Sequence, residues 1–181
     1  MNEMMNLIKT RRSIRKFEDR AVPDEMLSAL FEAVKWAPSW TNCQCWELIH
    51  VKDPELRVKI QDTLIKNPAT KAIVEAPVLL AVCGKKNVSG YYDGQASTRL
   101  GDWLMFDLGI ATQNLCLAAH AMGLGTVIVG LYDHARVSDI LNLPDNVEQV
   151  ALIPVGFPAK EPSAPKRREI EDFVHVDTFG G

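Results

Sequence analysis

Arg11-Arg12-Ser13-Ile14-Arg15 sets three guanidinium groups and a hydroxyl within five residues. Such a run can surround one phosphate, each charge-assisted hydrogen bond contributing roughly 1.5–3 kcal/mol. Taken alone, a solvated basic turn is the plainer account, and the same two accounts apply to Lys166-Arg167-Arg168. The segment Ala37-Pro38-Ser39-Trp40-Thr41-Asn42-Cys43-Gln44-Cys45-Trp46 joins short polar side chains to two tryptophans. That mixture suits a planar heteroaromatic ring with amide-like edges, although a capped helix end followed by a buried Trp fits it equally. Cys43 and Cys45 have no companion C-x-x-C or histidine cluster, so the expectation is inert thiols and no metal site. A disulfide between them is geometrically awkward. Gly123, Gly125 and Gly130 have the spacing G-x-G-x-x-x-x-G, and the apolar run Thr126–Val129 comes after the first two instead of leading into them, so they do not make a dinucleotide loop. No P-loop, G-x-S-x-G elbow or H-E-x-x-H occurs, and His50, His120, His134 and His175 are scattered without an obvious partner.

Bulk properties narrow the field. A chain of 181 residues, 47% hydrophobic and 24% charged, suits one soluble domain with a real core. The formal charge of -3 and the shortness of the basic clusters argue against nucleic acid and anionic membranes. The apolar runs are interrupted by Gly, Asp, Gln or His, so no membrane span is expected. Met1 to Lys9 lacks the pattern of a secretory signal. Four cysteines in a chain of this length do not form a disulfide framework, which points to a reducing cytoplasm.

The elements that must hold these residues follow from periodicity. Met4 to Ile8 suggests a short helix ending at the basic run. Asp24 is the expected N-cap of a second helix, whose Leu27, Leu30, Phe31 and Val34 form one apolar face. Pro38 closes that region, Trp46–Val51 reads as a strand and Pro54–Leu64 as an amphipathic helix. Pro77–Val82 is a buried strand. Asp102–Met122 is apolar on nearly all sides, as expected of a central helix covered by protein everywhere. Thr126–Val129 and Val150–Val155 read as strands, with a short helix over Val137–Leu141. After Gly156 a polar, proline-rich tail ends in the apolar Phe173-Val174-His175-Val176, the form of a segment that wraps a partner subunit. Strands and helices do not alternate strictly, so the expected class is α+β.

Together these segments resemble the nitroreductase family of flavoenzymes, over Ile8 to Val176. Arg11-Arg12-Ser13-Ile14-Arg15-Lys16-Phe17 is similar to the family's R-R-S-x-R-x-F start, and the 37–46 segment to its A-P-S-x-x-N-x-Q-P-W. Asp107 to Leu115, with Leu117-Ala118-Ala119 and Gly123-Leu124-Gly125-Thr126, resembles its core helix. Pro165-Lys166-Arg167-Arg168 with Phe173-Val174-His175 is similar to its C-terminal signature. The resemblance implies a single domain over 1–181, an α+β sandwich with a central mixed sheet flanked by helices. Residues 157–181 would be an extension embracing the partner. It implies a homodimer with FMN at each interface. Arg11, Ser13 and Arg15 would hold the ribityl and phosphate, with Arg12 beside them and Lys166 and Arg168 returning from the tail. Pro38, Ser39, Trp40 and Asn42 would contact the flavin from the other subunit, and Val129 and Gly130 would present backbone N–H groups to its N5 and O4. Two departures stand out: Val129 where many members have Glu, and Cys45 in place of Pro. Lys71 is a weaker candidate for the pyrimidine edge, with a surface role favoured.

The activity so implied is a ping-pong cycle in which NADH or NADPH delivers hydride to the flavin and a nitroaromatic, quinone or similar conjugated acceptor removes it. The cofactor supplies the chemistry, so no protein nucleophile is needed. Trp40 would line or cover the pocket and restrict acceptor shape. Two alternatives remain: a family branch with another flavin reaction, such as reductive dehalogenation or flavin fragmentation, and a non-catalytic FMN-binding protein. Neither the physiological acceptor nor the preferred nicotinamide nucleotide is written in the chain.

Overall fold

A computed structural model describes residues 2–180. In chain order it contains α1 (Glu3–Thr10), α2 (Asp24–Lys35), β1 (Trp46–His50), α3 (Pro54–Gln61), α4 (Ala72–Glu75), β2 (Val78–Lys85) and the short pair β3 (Tyr91–Tyr92) and β4 (Gln95–Ala96). There follow α5 (Leu104–Ala121), β5 (Gly125–Thr126), α6 (His134–Ile140) and β6 (Val147–Gly156). The main sheet has the order β1-β2-β6-β5. All its named pairs are antiparallel, and the parallel component is one bridge between Ser13 and Thr126. The α+β class is thus what the chain forms, with its parallel pairing reduced to that single contact.

The two faces of the sheet carry two cores. Leu80, Val82, Ile153 and Val155 pack with Leu27, Leu30 and Val34 of α2 and Leu104, Leu108, Leu115 and Ala119 of α5. Leu79, Ala81, Cys83 and Leu152 point the other way, toward Ile60 of α3, Ile73 of α4 and Val137 of α6. This is the period-two alternation of a strand covered on both sides. Gly84 lets β2 approach α5, since a Cβ there would lie 2.4 Å from the Leu104 Cδ1 methyl.

Several elements differ from expectation for local reasons. Pro23 occupies the N-cap of α2, which leaves Asp24 inside the helix as a first-turn acid with no capping bond. Phe31 lies at the edge of the apolar face and is exposed. α3 stops at Gln61, and hydrogen-bonded turns from Thr63 to Ile60 and Leu64 to Gln61 replace its expected last turn. Thr126–Val129 pairs regularly only over Gly125–Thr126, because Ile128 turns out to solvent and Val129 rejoins the sheet through one bridge to Leu152. α5 is not covered all round: Met105 and Phe106 are 64% and 60% exposed, and with Gly109, Ile110, Gln113 and Asn114 they line an open surface depression. The tail beyond Ala159 is exposed along its described length, including Phe173, Val174 and Val176.

Candidate functional site

Ile14 organises the first basic cluster. Its side chain is buried, and its N–H donates to the Thr126 carbonyl (2.9 Å) beside the Ser13–Thr126 bridge. In an extended segment alternate residues share a face, so anchoring Ile14 inward turns Ser13 and Arg15 outward together. Gly125 makes that anchor possible: a Cβ on it would sit 2.5 Å from Ile14 Cγ1 and 2.7 Å from Ile14 Cβ. The chain then runs beside the start of the tail. Glu18 N–H donates to Phe157 O (2.9 Å) and Ala159 N–H to Lys16 O (3.0 Å). This lays Pro162 to Arg167 over Arg11 to Arg15.

The result is an open cavity of about 510 Å³ lined by Arg11, Arg12, Ser13, Arg15, Pro162, Ser163, Pro165 and Arg167. Arg12 donates to the carbonyls of Lys9 (2.7 Å) and Arg11 (2.8 Å), and Arg15 makes one long contact to Ser13 O (3.4 Å). The ion pairs among the described residues lie elsewhere, on Lys35, Lys85 and Lys86. A cavity lined by four guanidinium groups, none in an ion pair among the described residues, has the electrostatics to hold an anion, with Glu161 lining the adjoining depression beside Arg11 and Arg12. Of the tail residues singled out from sequence, Lys166 and Arg168 line a separate 300 Å³ depression with Arg167, Glu169 and Asp172. Arg167 is the tail cation shared by both depressions.

The 38–46 segment is shaped by a residue that sequence reasoning did not single out. Asp107 of α5 is 2% exposed, and donors converge on its carboxylate. Trp40 N–H lies 3.2 and 3.1 Å from its two oxygens. The Ser89 hydroxyl donates to Oδ2 at 2.6 Å, and the Cys43 and Cys45 thiols point at Oδ2 from 3.6 and 3.7 Å. Gln44 N–H donates back to Ser39 Oγ (2.9 Å). So pinned, the segment holds Thr41, Asn42 and Gln44 at φ of 45°, 59° and 48°. Left-handed conformations at residues with a Cβ cost energy and persist only where surrounding contacts impose them. Pro38 and Asn42 are exposed, and Ser39 and Trp40 are half-buried. The Trp40 ring packs 5.1 Å from Trp103, which in turn packs 5.4 Å from the exposed Phe106. Burial, then the nearby Cys43 and Asp107, push the Cys45 thiol up to about 12. The cavity lined by Arg11 to Arg15 includes no residue of Pro38–Gln44.

Two expectations need revision. Val129 N–H is already donated to Leu152 O (2.9 Å), and Val129 O accepts from Leu152 N (2.9 Å), so Val129 has no amide to offer a ligand. Among the described residues the exposed Gly130 N–H has no acceptor, and its carbonyl faces His134 Nε2 at 3.0 Å. His134 is therefore partnered, as is His120, whose Nε2 lies 2.8 Å from Thr10 Oγ1. Lys71 is exposed just before α4.

Comparison with known proteins places the chain in a populated group. The sequence model of the nitroreductase family matches residues 8–76 and 65–157. A Methanothermobacter thermautotrophicus protein provisionally named NADH dehydrogenase/NAD(P)H nitroreductase is 35% identical, the match covering 98% of this chain and 88% of that one. The Bacillus subtilis FMN reductase [NAD(P)H] is 31% identical over 99% of this chain and 75% of its own. Among solved structures, the Vibrio harveyi NADPH:FMN oxidoreductase complexed with NAD+ superimposes with a TM-score of 0.82 at 27% identity, covering 98% and 78% of the two chains.

Proposed function

The chain belongs to the nitroreductase family, and from that premise we propose that it is an NAD(P)H-dependent FMN oxidoreductase acting as a homodimer. The observation that carries this is the arginine-lined cavity of Arg11, Arg12, Ser13, Arg15 and Arg167, a cationic cradle with no ion-pair partner among the described residues. Its charge and donor set fit the phosphate end of FMN. When bound, FMN would supply hydride-transfer chemistry between NADH or NADPH and a conjugated acceptor such as a nitroaromatic or a quinone.

The protein's part is binding and orientation. Arg11, Ser13 and Arg15, turned outward by the buried Ile14, hold the phosphate and ribityl chain, with Arg12 beside them. In the assembled dimer Lys166 and Arg168 of the tail close on the same end. Gly130 N–H supplies a backbone donor at the ring edge. Pro38, Ser39, Trp40 and Asn42 meet the ring from the other subunit. Three features support a shared site: this segment lies outside the arginine cavity of its own protomer, the α5 face at Met105 and Phe106 is open, and the tail is exposed. Trp40, braced by Trp103, limits the shape of the acceptor. No helix of the described residues is long and apolar enough to cross a membrane, and four free thiols suit a reducing cytoplasm.

Titrating the protein with FMN tests the assignment. Saturation at one FMN per chain, in a species of twice the chain mass, is expected. A monomer that leaves FMN free in solution would overturn it.

A further inference from the structure

We propose that Cys43, Cys45 and Asp107 form a binding site for one thiophilic divalent cation of the Zn²⁺ type, which clips the 39–45 segment to α5. The two thiol sulfurs and a carboxylate oxygen all lie within 4.8 Å of one another. Each sulfur is 3.6 or 3.7 Å from Asp107 Oδ2. A tetrahedral centre with metal–sulfur bonds of about 2.3 Å and metal–oxygen bonds of about 2.1 Å places its sulfur and oxygen ligands roughly 3.6 Å apart. Both thiols thus stand at ligand spacing from the carboxylate before any cation arrives. Gln44, at φ 48°, is the turn that sends both flanking cysteines toward the same oxygen.

The support around the ligands also suits a metal. Trp40 N–H and the Ser89 hydroxyl fix the carboxylate's orientation, the task of groups just outside a coordination sphere. Cys43 is half-buried and flanked by the exposed Asn42 and Gln44, which leaves a side open for water as fourth ligand. Charge selects the valence. Two thiols and a carboxylate carry one negative charge; binding a divalent cation with loss of both thiol protons to solvent also leaves one. With both thiols deprotonated as ligands, a monovalent cation would leave one more negative charge in a site where Asp107 and Cys45 are buried. Two sulfurs among three ligands favour Zn²⁺ or Cd²⁺ over Mg²⁺ or Ca²⁺.

Cd²⁺ is the probe, because thiolate coordination gives a charge-transfer absorption in the near ultraviolet that hydrogen-bonded thiols do not. The reduced, chelator-treated holoprotein is titrated with Cd²⁺ by difference absorption. The expected result is saturation at one equivalent per chain and reversal by Zn²⁺. Cys43→Ser should weaken binding at least 100-fold, whereas Cys116→Ser should leave it unchanged. Cys43 is half-buried, so Cys43→Ser decides the matter even if Cys45→Ser does not fold. No band at one equivalent, or an equal band in Cys43→Ser, overturns the site.

Discussion

Replacing Asp107 by Asn should loosen the 39–45 segment while leaving the sheet intact. The carboxylate accepts from Trp40 N–H, the Ser89 hydroxyl and two thiols. An amide keeps one acceptor oxygen and turns an –NH₂ toward groups that are themselves donors. A hydrogen bond to a charged group contributes roughly 1.5–3 kcal/mol, and relief from burying the charge offsets part of its loss, so the net cost is about 2 kcal/mol. For a domain of this size that corresponds to a fall in Tm of about 4–8 °C. Asp107→Ala, which leaves the buried Ser89 hydroxyl unpaired, should cost about 1–3 kcal/mol more. Thermal unfolding followed by circular dichroism reads both numbers. Tryptophan emission reports the segment directly, because Trp40 packs on Trp103. An Asp107→Asn protein with unchanged Tm and unchanged emission would refute the role given to this carboxylate.

Other consequences are open to test. Arg15→Ala removes a guanidinium with no ion pair among the described residues, so it should weaken FMN binding by about 10- to 150-fold with little change in Tm; equal FMN affinity would exclude it from the cradle. Phe106→Glu, on the open face of α5, should give a folded monomer that has lost FMN, and a flavin-bound dimer by sedimentation would contradict the shared site. Cys45 and Cys83 are both pushed up to about 12 by burial first, so at pH 8 their alkylation should be about 1,000-fold slower than that of a thiol at 9. Mass spectrometry should find the half-buried Cys43 modified first, and early labelling of Cys83 would contradict that environment. His50 and His120 are held below 6.5, chiefly by burial, with Lys52 and Arg57 near the first and Arg11 near the second. Their neutral forms are favoured by folding, so the stability they contribute is present above 6.5 and lost as pH falls below it. The Tm should decline between pH 7 and 5, and less so in a His50→Asn/His120→Asn double variant.

What the sequence made legible is local or charged. The arginine run and its family pattern pointed to the cavity, because Ile14 and the alternation of an extended segment fix which residues share a face. Pro77–Val82 stood out by composition as a buried strand, since both faces of the strand that forms there, Val78–Lys85, are covered over most of its length. Long-range geometry was hidden. Nothing in the chain announced that Asp107, 62 residues beyond Cys45, is the acceptor that bends the 39–45 segment; a charged residue inside an otherwise apolar helix was the available signal. The loss of the Val129 amide to Leu152 depends on how β6 passes the chain after β5. The open face of α5 was invisible because an apolar helix surface reads the same whether its own domain or a second subunit covers it.

In the proposed function this chain delivers electrons from a nicotinamide nucleotide to an acceptor through bound FMN. Mixing the FMN-loaded protein with NADH and with NADPH in the absence of oxygen, while following visible absorption, tests it directly. Bleaching of the flavin bands by at least one nucleotide, and their return on adding a quinone or nitroaromatic, is the expected result. Bands that neither nucleotide bleaches, in protein that holds FMN stoichiometrically, would contradict it and leave a flavin-binding protein without this activity.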